Sequence, residues 1–241
     1  MAILRGPRLI TDESLLVNLD ASALRSAPNS SSGWTNIVNG GGVQTNAKTG
    51  SPSLTTLGGV RTWRFTASGQ YFESNLLGDD NQPYLNATVE AWIYPEDEVT
   101  SGDRGTILRL NGNQSLYMSW NKSSRKLSTY WYSHAANGYH ETGAAMERNQ
   151  WHHICSVHRY SDDLVDQYTN GTKTTATGTQ ADTTTYSSES TGPSVEVGME
   201  SSGRQFAGGI CIVRIYNRPL SDTEVINNYN ALCPRFGKTP V

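Results

Sequence analysis

Short β-type segments, separated by turns rich in glycine and asparagine, fill most of this 241-residue chain. Regular spacing of strands and turns is typical of β-sandwiches and β-barrels. The segments 111–113 and 170–171 have the asparagine and glycine content of hairpin turns, which require positive φ. The predicted strands are 15–19, 61–65, 70–73, 87–94, 106–110, 115–120, 126–132, 151–159, 164–169, 194–198 and 210–216. The segment 169–191, rich in threonine and serine, is interpreted as an exposed loop, with a threonine-rich strand as the alternative.

Bulky side chains occupy both faces of the predicted strand 87–94. One face carries Val89, Ala91 and Ile93, and the other carries Glu90, Trp92 and Tyr94. Successive side chains of a strand point to opposite faces. We therefore predict that this strand is covered on both sides.

One helix is predicted near the C-terminus. Ser221 and Glu224 have the spacing of a capping box, in which each side chain binds the other residue's backbone N–H. The helix should end at Cys233, because Pro234 disfavours the α conformation in the residue before it. Apolar residues recur near helical spacing at Val225, Ile226, Tyr229 and Leu232.

The composition is polar but does not indicate disorder. Charged residues make up only 17% of the chain, and 6 Trp and 12 Tyr are spread along it, whereas disordered chains combine high charge with few aromatic residues. The net charge of −3 gives no basic signature for a nucleic-acid partner. No apolar run approaches the ~20 residues of a membrane span, and the first residues lack a signal-peptide apolar core. Three cysteines are too few for a disulfide framework, so we expect a protein made in a cytoplasm, without membrane insertion. No internal repeat of 20–50 residues and no clear linker occurs, so one domain is favoured.

The two ends of the chain are basic, whereas the body between them is acidic. We divide the chain into an N-terminal arm (1–11), a central domain (12–233) and a C-terminal tail (234–241). Two interpretations stay open: the ends are solvated or pack locally, or they are arms that dock onto an acidic neighbouring subunit. The residues assigned to such assembly arms are Ile3, Leu4, Arg5, Arg8, Leu9, Arg235, Phe236 and Lys238.

The sequence offers no convincing catalytic constellation. The histidines near Trp151 are interpreted as packed or hydrogen-bonded side chains, because His153 and Cys155 share a strand face but a structural zinc site needs four ligands. Acid-rich segments at 79–80, 96–98 and 162–163 belong to predicted loops, where calcium is an alternative without a defined ligand set. We therefore assign no catalytic residue and no cofactor.

A group of aromatic residues surrounds the predicted loop 133–143. Aromatic rings in such a position can stack on sugar rings, and packing in the core is the competing explanation for each of them. The candidate carbohydrate-binding residues are Tyr130, Trp131, Tyr132 and Tyr139.

Several segments together resemble the laminin-G-like, concanavalin A-like lectin/glucanase domains. They are LLVNLDA at 15–21, TVEAWIYP at 88–95, QWHHI at 150–154, YTNG at 168–171, FAGGI at 206–210, VRIYNRPLS at 213–221 and YNAL at 229–232. The resemblance covers roughly residues 12–233. It implies an all-β jelly-roll sandwich of two antiparallel sheets with one short C-terminal helix.

Both ends of the chain resemble a subgroup encoded by tailed bacteriophages, notably those of marine cyanobacteria. The matching segments are LRGPRLITD at 4–12 and the stretch from Tyr229 to Gly237. The resemblance implies a structural or accessory virion protein, as a capsid decoration or a neck or tail appendage, assembled in the host cytoplasm. Other virion proteins, further copies of the chain and host surface glycans are the implied partners.

The sequence departs from the glucanases of this fold at one important point. Those enzymes carry a Glu-x-Asp-x-(x)-Glu strand, and no segment here has that spacing. We therefore expect a protein that is not an enzyme. A free carbohydrate-binding lectin or adhesin is the first alternative to the virion component, and a glycan hydrolase is the second.

Overall fold

The computed structural model describes residues 7–28, 33–38, 45–74, 86–96, 103–111, 116–131, 140–159, 164–175, 194–199 and 204–241. Within these ranges the backbone forms sixteen strands, one α-helix and one 3-10 helix. The strands are β1 (Leu15–Asp20), β2 (Gly33–Thr35), β3 (Thr45–Thr49), β4 (Ser53–Leu57), β5 (Val60–Phe65), β6 (Tyr71–Ser74), β7 (Asn86–Pro95), β8 (Arg104–Asn111), β9 (Leu116–Asn121), β10 (Leu127–Trp131), β11 (His140–Thr142), β12 (His152–Arg159), β13 (Leu164–Thr169), β14 (Thr172–Thr175), β15 (Ser194–Val197) and β16 (Gly208–Tyr216). The helix α1 (Asp222–Leu232) leads directly into the 3-10 helix Cys233–Phe236.

The strands form two antiparallel sheets of eight strands each. The first sheet runs in the order β14-β13-β12-β7-β16-β5-β4. One edge of β16 pairs with β7 along its length, and the other edge pairs with β5 near Gly208 and with β1 near Tyr216. The second sheet runs in the order β11-β10-β9-β8-β15-β6-β3-β2. The predicted all-β sandwich of two antiparallel sheets is therefore confirmed.

Large aromatic rings from both sheets meet in the core between them. Trp63 and Phe65 come from the first sheet and meet Phe72 of the second sheet edge-on, with ring centroids 4.9 and 6.2 Å apart. Trp34 of β2 contacts the same Phe72 ring at 5.6 Å. Such edge-to-face pairs stabilise by about 0.5–1.5 kcal/mol beyond their burial. The contacts of Trp63 and Phe65 with Phe72 join the two layers where β5 faces β6.

The C-terminal helix covers the outer face of the first sheet. Ser221 caps α1, its side chain accepts from the backbone N–H of Glu224, and the Glu224 side chain accepts in return from the backbone N–H of Ser221. The predicted capping box and the predicted end of the helix at Cys233 are confirmed. Tyr229 stacks on Trp92 of β7 with ring centroids 5.7 Å apart. The core and the helix thus cover the two faces of β7, as its sequence predicts.

A buried group of polar side chains anchors α1 to the sheet beneath it. Arg214 of β16 donates to Glu90 of β7 at 2.7 Å, and His153 of β12 lies 3.3 Å from the same carboxylate. Asn228 of α1 also donates to Glu90 at 3.3 Å. Burial alone would raise the pKa of Glu90, but the hydrogen bond with His153 and the charge of Arg214 lower it to about 2. The buried charges are therefore paired, which is the condition under which such groups are tolerated in a core.

The sequence predicts the interior strands better than those at the sheet edges. Each of the strands predicted from the sequence is present, with boundaries that differ by at most two residues. The strands without a prediction are β2, β3, β4 and β11, and the threonine-rich alternative within 169–191 is realised as β14. Four of these five form the sheet edges, and β3 lies beside one of them. Edge strands are short and polar, so they lack the apolar alternation that identifies an interior strand.

In the part of the chain that the structure describes, no helix has the length and apolar character needed to cross a membrane. The three cysteines, Cys155, Cys211 and Cys233, are buried.

Candidate functional site

The outer face of the second sheet carries polar and aromatic side chains, and we call it the polar face. On β9 the side chains of Leu116, Met118 and Trp120 belong to the core. Because side chains alternate along a strand, the intervening residues of β9 point outward. The strand register and the burial pattern then identify the residues of the neighbouring strands that point outward in the same way. The described residues of the polar face are Tyr71, Glu73, Arg104, Thr106, Arg109, Tyr117, Ser119, Asn121, Ser128, Tyr130, Glu141 and Glu196.

Five of these residues form one continuous row across the sheet, and we call it the aromatic–charged row. The strand register places Tyr130 opposite Tyr117 and Tyr117 opposite Arg109. It then places Arg109 opposite Glu196 and Glu196 opposite Glu73. Neighbouring strands are ~4.8 Å apart, so the row is ~19 Å long. This length suits an extended ligand that crosses several strands.

Direct contacts hold the row together. The Tyr117 and Tyr130 rings meet edge-on with centroids 5.6 Å apart, and both residues are half-buried. The guanidinium of Arg109 lies 5.2 Å from the centre of the Tyr117 ring and donates to Glu196 at 3.2 Å. The Arg109 and Glu196 side chains are only 12% and 5% exposed, so this pair is much less screened by water than an ordinary surface pair. The row thus combines ring surface with fixed hydrogen-bonding groups.

A second row of small hydroxyl side chains lies beside the first. Thr106, Ser119 and Ser128 are aligned across β8, β9 and β10 and are fully buried. Arg104 donates to Ser128 at 3.2 Å and lies 3.5 Å from Glu141 on β11, so its side chain reaches across this row. Among the described residues, the hydroxyls of Thr106 and Ser119 have no hydrogen-bond partner.

The structure describes the side chain of one of the four predicted carbohydrate-binding residues, and the assignment of all four stays a prediction. Tyr130 belongs to the polar face. Trp131 is the last residue of β10, and its side chain is not among those described. Tyr132 and Tyr139 lie outside the described residues. Sequence reasoning missed Tyr117, although its alternation with Leu116 and Met118 could have identified it.

Arg109 and Glu196 were also missed, and no local signal could have revealed them. They are 87 residues apart in the sequence. Only the pairing of β8 with β15 brings them together.

The described histidines near Trp151 have protein partners. His152 hydrogen-bonds to the carbonyl oxygen of Glu147 at 2.8 Å, and burial lowers its pKa to about 4. His153 contacts Glu90, as described above. Among the described residues, no group of three His, Cys, Asp or Glu side chains is placed to hold a metal ion. Of the acid-rich segments, Glu96 binds Arg64 at 2.7 Å, while residues 79–80, 97–98 and 162–163 lie outside the described ranges.

The residues assigned to the C-terminal arm contact the domain itself. Arg235 donates to Asp20 at 2.8 Å, and the Phe236 ring stacks on Trp92. The backbone N–H of Lys238 donates to the carbonyl oxygen of Cys233 at 2.9 Å. This arrangement favours the local-packing interpretation for 234–238, and docking of these residues onto another subunit stays a prediction.

The N-terminal arm is only partly described. Leu9 packs against the core, and Arg8 is exposed. The backbone N–H of the adjoining Ile10 donates to the Asn228 side chain at 2.8 Å, and its carbonyl oxygen accepts from the Tyr216 hydroxyl at 3.2 Å. The predicted arm residues Ile3, Leu4 and Arg5 lie outside the described residues.

Solved structures with this fold include parts of carbohydrate-active enzymes and a toxin. Domain 4 of AbnA, a GH43 extracellular arabinanase from Geobacillus stearothermophilus, was solved in complex with arabinotriose. Its superposition on this chain gives a TM-score of 0.60 at 14% sequence identity and covers 88% of this chain and 96% of that domain. The binding domain of botulinum neurotoxin serotype D gives a TM-score of 0.65 at 15% sequence identity, and the match covers 94% of this chain and 55% of that one. Trypanosoma rangeli sialidase gives a TM-score of 0.62 at 15% sequence identity, and the match covers 95% of this chain and 34% of that one.

These likenesses show the fold alone, because the sequence identities are low. The chain spans about a third of the sialidase and about half of the toxin domain. No curated protein matches its sequence. The profile of the Laminin_G_3 family, described as the concanavalin A-like lectin/glucanases superfamily, matches residues 66–226. This match runs from the end of β5 into α1, so the chain belongs to that family of lectin-like sandwiches.

Proposed function

We propose that the polar face binds a carbohydrate chain. The observation that carries this proposal is the aromatic–charged row, in which two tyrosine rings lie in register with an arginine–carboxylate pair. Tyrosine rings offer an apolar surface for the C–H face of a sugar together with a polar hydroxyl. The Arg109 guanidinium, held by Glu196, lies against the Tyr117 ring and keeps that ring in a fixed position for stacking. The arabinotriose complex of the AbnA domain supports the proposal by analogy of fold.

A glycan array followed by calorimetry with the best hit tests the proposal. The Tyr117→Ala variant should lose binding. Tyr94→Ala is a matched control, because Tyr94 is also half-buried, also has an edge contact with one ring, and lies on the first sheet. Equal losses in both variants, or no saturable binding in the array, would contradict a site on the polar face.

We propose further that this module is a structural or accessory component of a tailed phage virion, on the capsid, neck or tail. The resemblance of both chain ends to phage-encoded relatives supports this role. Other virion proteins and further copies of the chain would be its assembly partners, and host surface glycans would be its ligands. Peptide mass spectrometry of purified particles from the source should find the protein at a stoichiometric copy number. Its absence from particles would favour a free lectin or adhesin.

A specific observation keeps glycan hydrolysis as a second candidate. Glu73 and Glu196 are directly opposite each other on adjacent strands, where Cβ atoms are ~4.5–5.5 Å apart. Retaining glycosidases use two carboxyl groups ~5–5.5 Å apart, a separation that side chains on neighbouring strands can reach. We favour binding without cleavage, because the glucanase motif is missing from the sequence and Glu196 is engaged by Arg109. Prolonged incubation with a bound oligosaccharide should return it intact, and cleavage that Glu73→Gln abolishes would establish the hydrolase instead.

A further inference from the structure

A separate pocket opens beside the first sheet, away from the polar face. Its volume is about 440 Å³, within the range of pockets that hold small ligands. The turn after β1, the β4–β5 hairpin and the 3-10 helix surround it. The described residues that line it are Asp20, Ser22, Ala23, Gly59, Val60, Arg61 and Arg235.

The charged side chains of the pocket are held in place by bonds within the chain. Arg61 donates to the carbonyl oxygens of Ala21 and Ala27. Arg235 donates to Asp20 at 2.8 Å through Nη1, and Asp20 also accepts from the backbone N–H of Ser22 at 2.9 Å. Both guanidinium groups are therefore oriented before any ligand arrives, which reduces the ordering cost of binding.

The charge balance of the pocket favours an anion. Two arginines and one aspartate are the charged groups among its described lining residues, whereas the whole chain carries a net charge of −3. Guanidinium groups bind carboxylates through charge-assisted, often bidentate hydrogen bonds. A monoanionic oxyanion group is thus the chemistry that this site would recognise.

Part of the pocket lining is apolar, and one position in it is open. Ala23 and Val60 contribute apolar lining. At Gly59, in the β4–β5 turn, a Cβ atom would meet nothing within 4 Å. Apolar lining together with two guanidinium groups matches a ligand with a C–H face and a carboxylate.

We propose that this pocket is a binding site for an acidic monosaccharide, such as a uronic acid residue, held by Arg61 and Arg235. The site is independent of the proposed function of the polar face, since it lies on the other sheet and shares no residue with it. The ring of the sugar would lie against Ala23 and Val60, and its carboxylate would meet the guanidinium groups.

Calorimetric titration of the full chain with D-glucuronate, with D-glucose and acetate as comparison ligands, tests the proposal. Glucuronate should bind and the two comparison ligands should bind at least about tenfold more weakly, the change expected for ~1.4 kcal/mol. Equal binding of acetate would overturn the sugar assignment, and equal binding of glucose would overturn the anion assignment. Absence of glucuronate binding at millimolar concentration would overturn the whole proposal.

Two substitutions that change the charge of the pocket in opposite directions test whether glucuronate binds there. Arg235→Gln should weaken glucuronate binding about tenfold, because one charge-assisted bond is lost. Asp20→Asn should strengthen it about threefold or more, since it removes the negative charge and keeps an acceptor oxygen. Arg125→Gln is the control, because Arg125 also pairs with one carboxylate, that of Glu147 at 3.0 Å, and does not line the pocket. Identical affinities in all three variants would contradict the proposed site, and loss of polar-face binding alone would leave it intact.

Discussion

The ring of Phe236 lies parallel to the indole of Trp92, with ring centroids 3.9 Å apart and an interplanar angle of 8°. Trp92 belongs to β7, an interior strand of the first sheet, and Phe236 ends the 3-10 helix. Both side chains are buried, and Tyr229 stacks on the same indole. The segment after α1 is therefore packed as part of the domain.

Phe236→Ala should lower the free energy of unfolding by about 3–5 kcal/mol, the usual cost of removing a buried aromatic ring. Urea denaturation followed by tryptophan fluorescence measures this change. Leu24→Ala is the control, because Leu24 is 63% exposed and its truncation should change stability by less than ~0.5 kcal/mol. A similarly small effect at Phe236 would contradict the packed conformation of the tail.

Glu90→Gln should destabilise the protein by about 3–5 kcal/mol, because it leaves the buried guanidinium of Arg214 without its carboxylate. The comparison variant is Glu147→Gln, which breaks the exposed pair with Arg125. That change should cost no more than about 1 kcal/mol. Chemical denaturation of both variants at neutral pH gives the two values, and equal costs would refute the structural role of Glu90.

Stability should fall as the pH drops from 6.5 to about 4, because of His152. Burial lowers the pKa of this imidazole from 6.5 to about 4, so the unfolded chain takes up a proton before the folded one does. The stabilisation is present above pH 6.5 and is lost in this window, by on the order of 3 kcal/mol. His152→Gln should flatten that part of a plot of unfolding free energy against pH. An unchanged slope in the variant would exclude His152 as its source.

Tyr130→Ala should weaken glycan binding about tenfold, which corresponds to ~1.4 kcal/mol, whereas Tyr130→Phe should keep most of the affinity. The reason is that ring stacking depends on the aromatic surface, which phenylalanine retains. Calorimetry with a glycan identified on the array distinguishes the two variants. Equal losses in both would show that the hydroxyl, and not the ring, makes the contact.

Gly208→Ala should be strongly destabilising, by at least ~2 kcal/mol more than Gly59→Ala. Gly208 has a φ of +129°, and a Cβ there would collide with the carbonyl oxygen of Tyr94. Gly59 also has a positive φ, of +79°, but a Cβ there meets open space, so its substitution should cost only ~1–2 kcal/mol. Comparing the thermal unfolding of the two variants separates the collision from the backbone strain. Equal costs would contradict the close approach of β16 to β7.

The sequence predicts the fold well because the interior strands carry their own signal. In β7, bulky residues on both faces, such as Val89 and Trp92, indicate cover from two sides, and the structure places the core on one side and α1 on the other. The edge strands, such as Ser53–Leu57, have half-exposed residues and no such pattern. Their existence depends on the neighbours to which they pair.

The candidate site is predicted only in part, because it arises from register. Tyr130 stands out in the sequence as one of several clustered aromatic residues. Its partners Tyr117, Arg109 and Glu196 come from three other strands, and only the pairing of those strands aligns them. A single sequence contains no information on that alignment, since each residue alone is an ordinary polar position on a strand.

The pairing of β16 has a consequence for how this chain folds as it is synthesised. This strand fills the middle of the first sheet and bonds to β1, β5 and β7, all of which precede it by more than a hundred residues. Among the described strands, β7 pairs only with β12, and β1 pairs with none, until residues 208–216 leave the ribosome. The first sheet can therefore be completed only after β16 has been synthesised, and a nascent chain that stalls before this point presents open strand edges to chaperones and to neighbouring nascent chains.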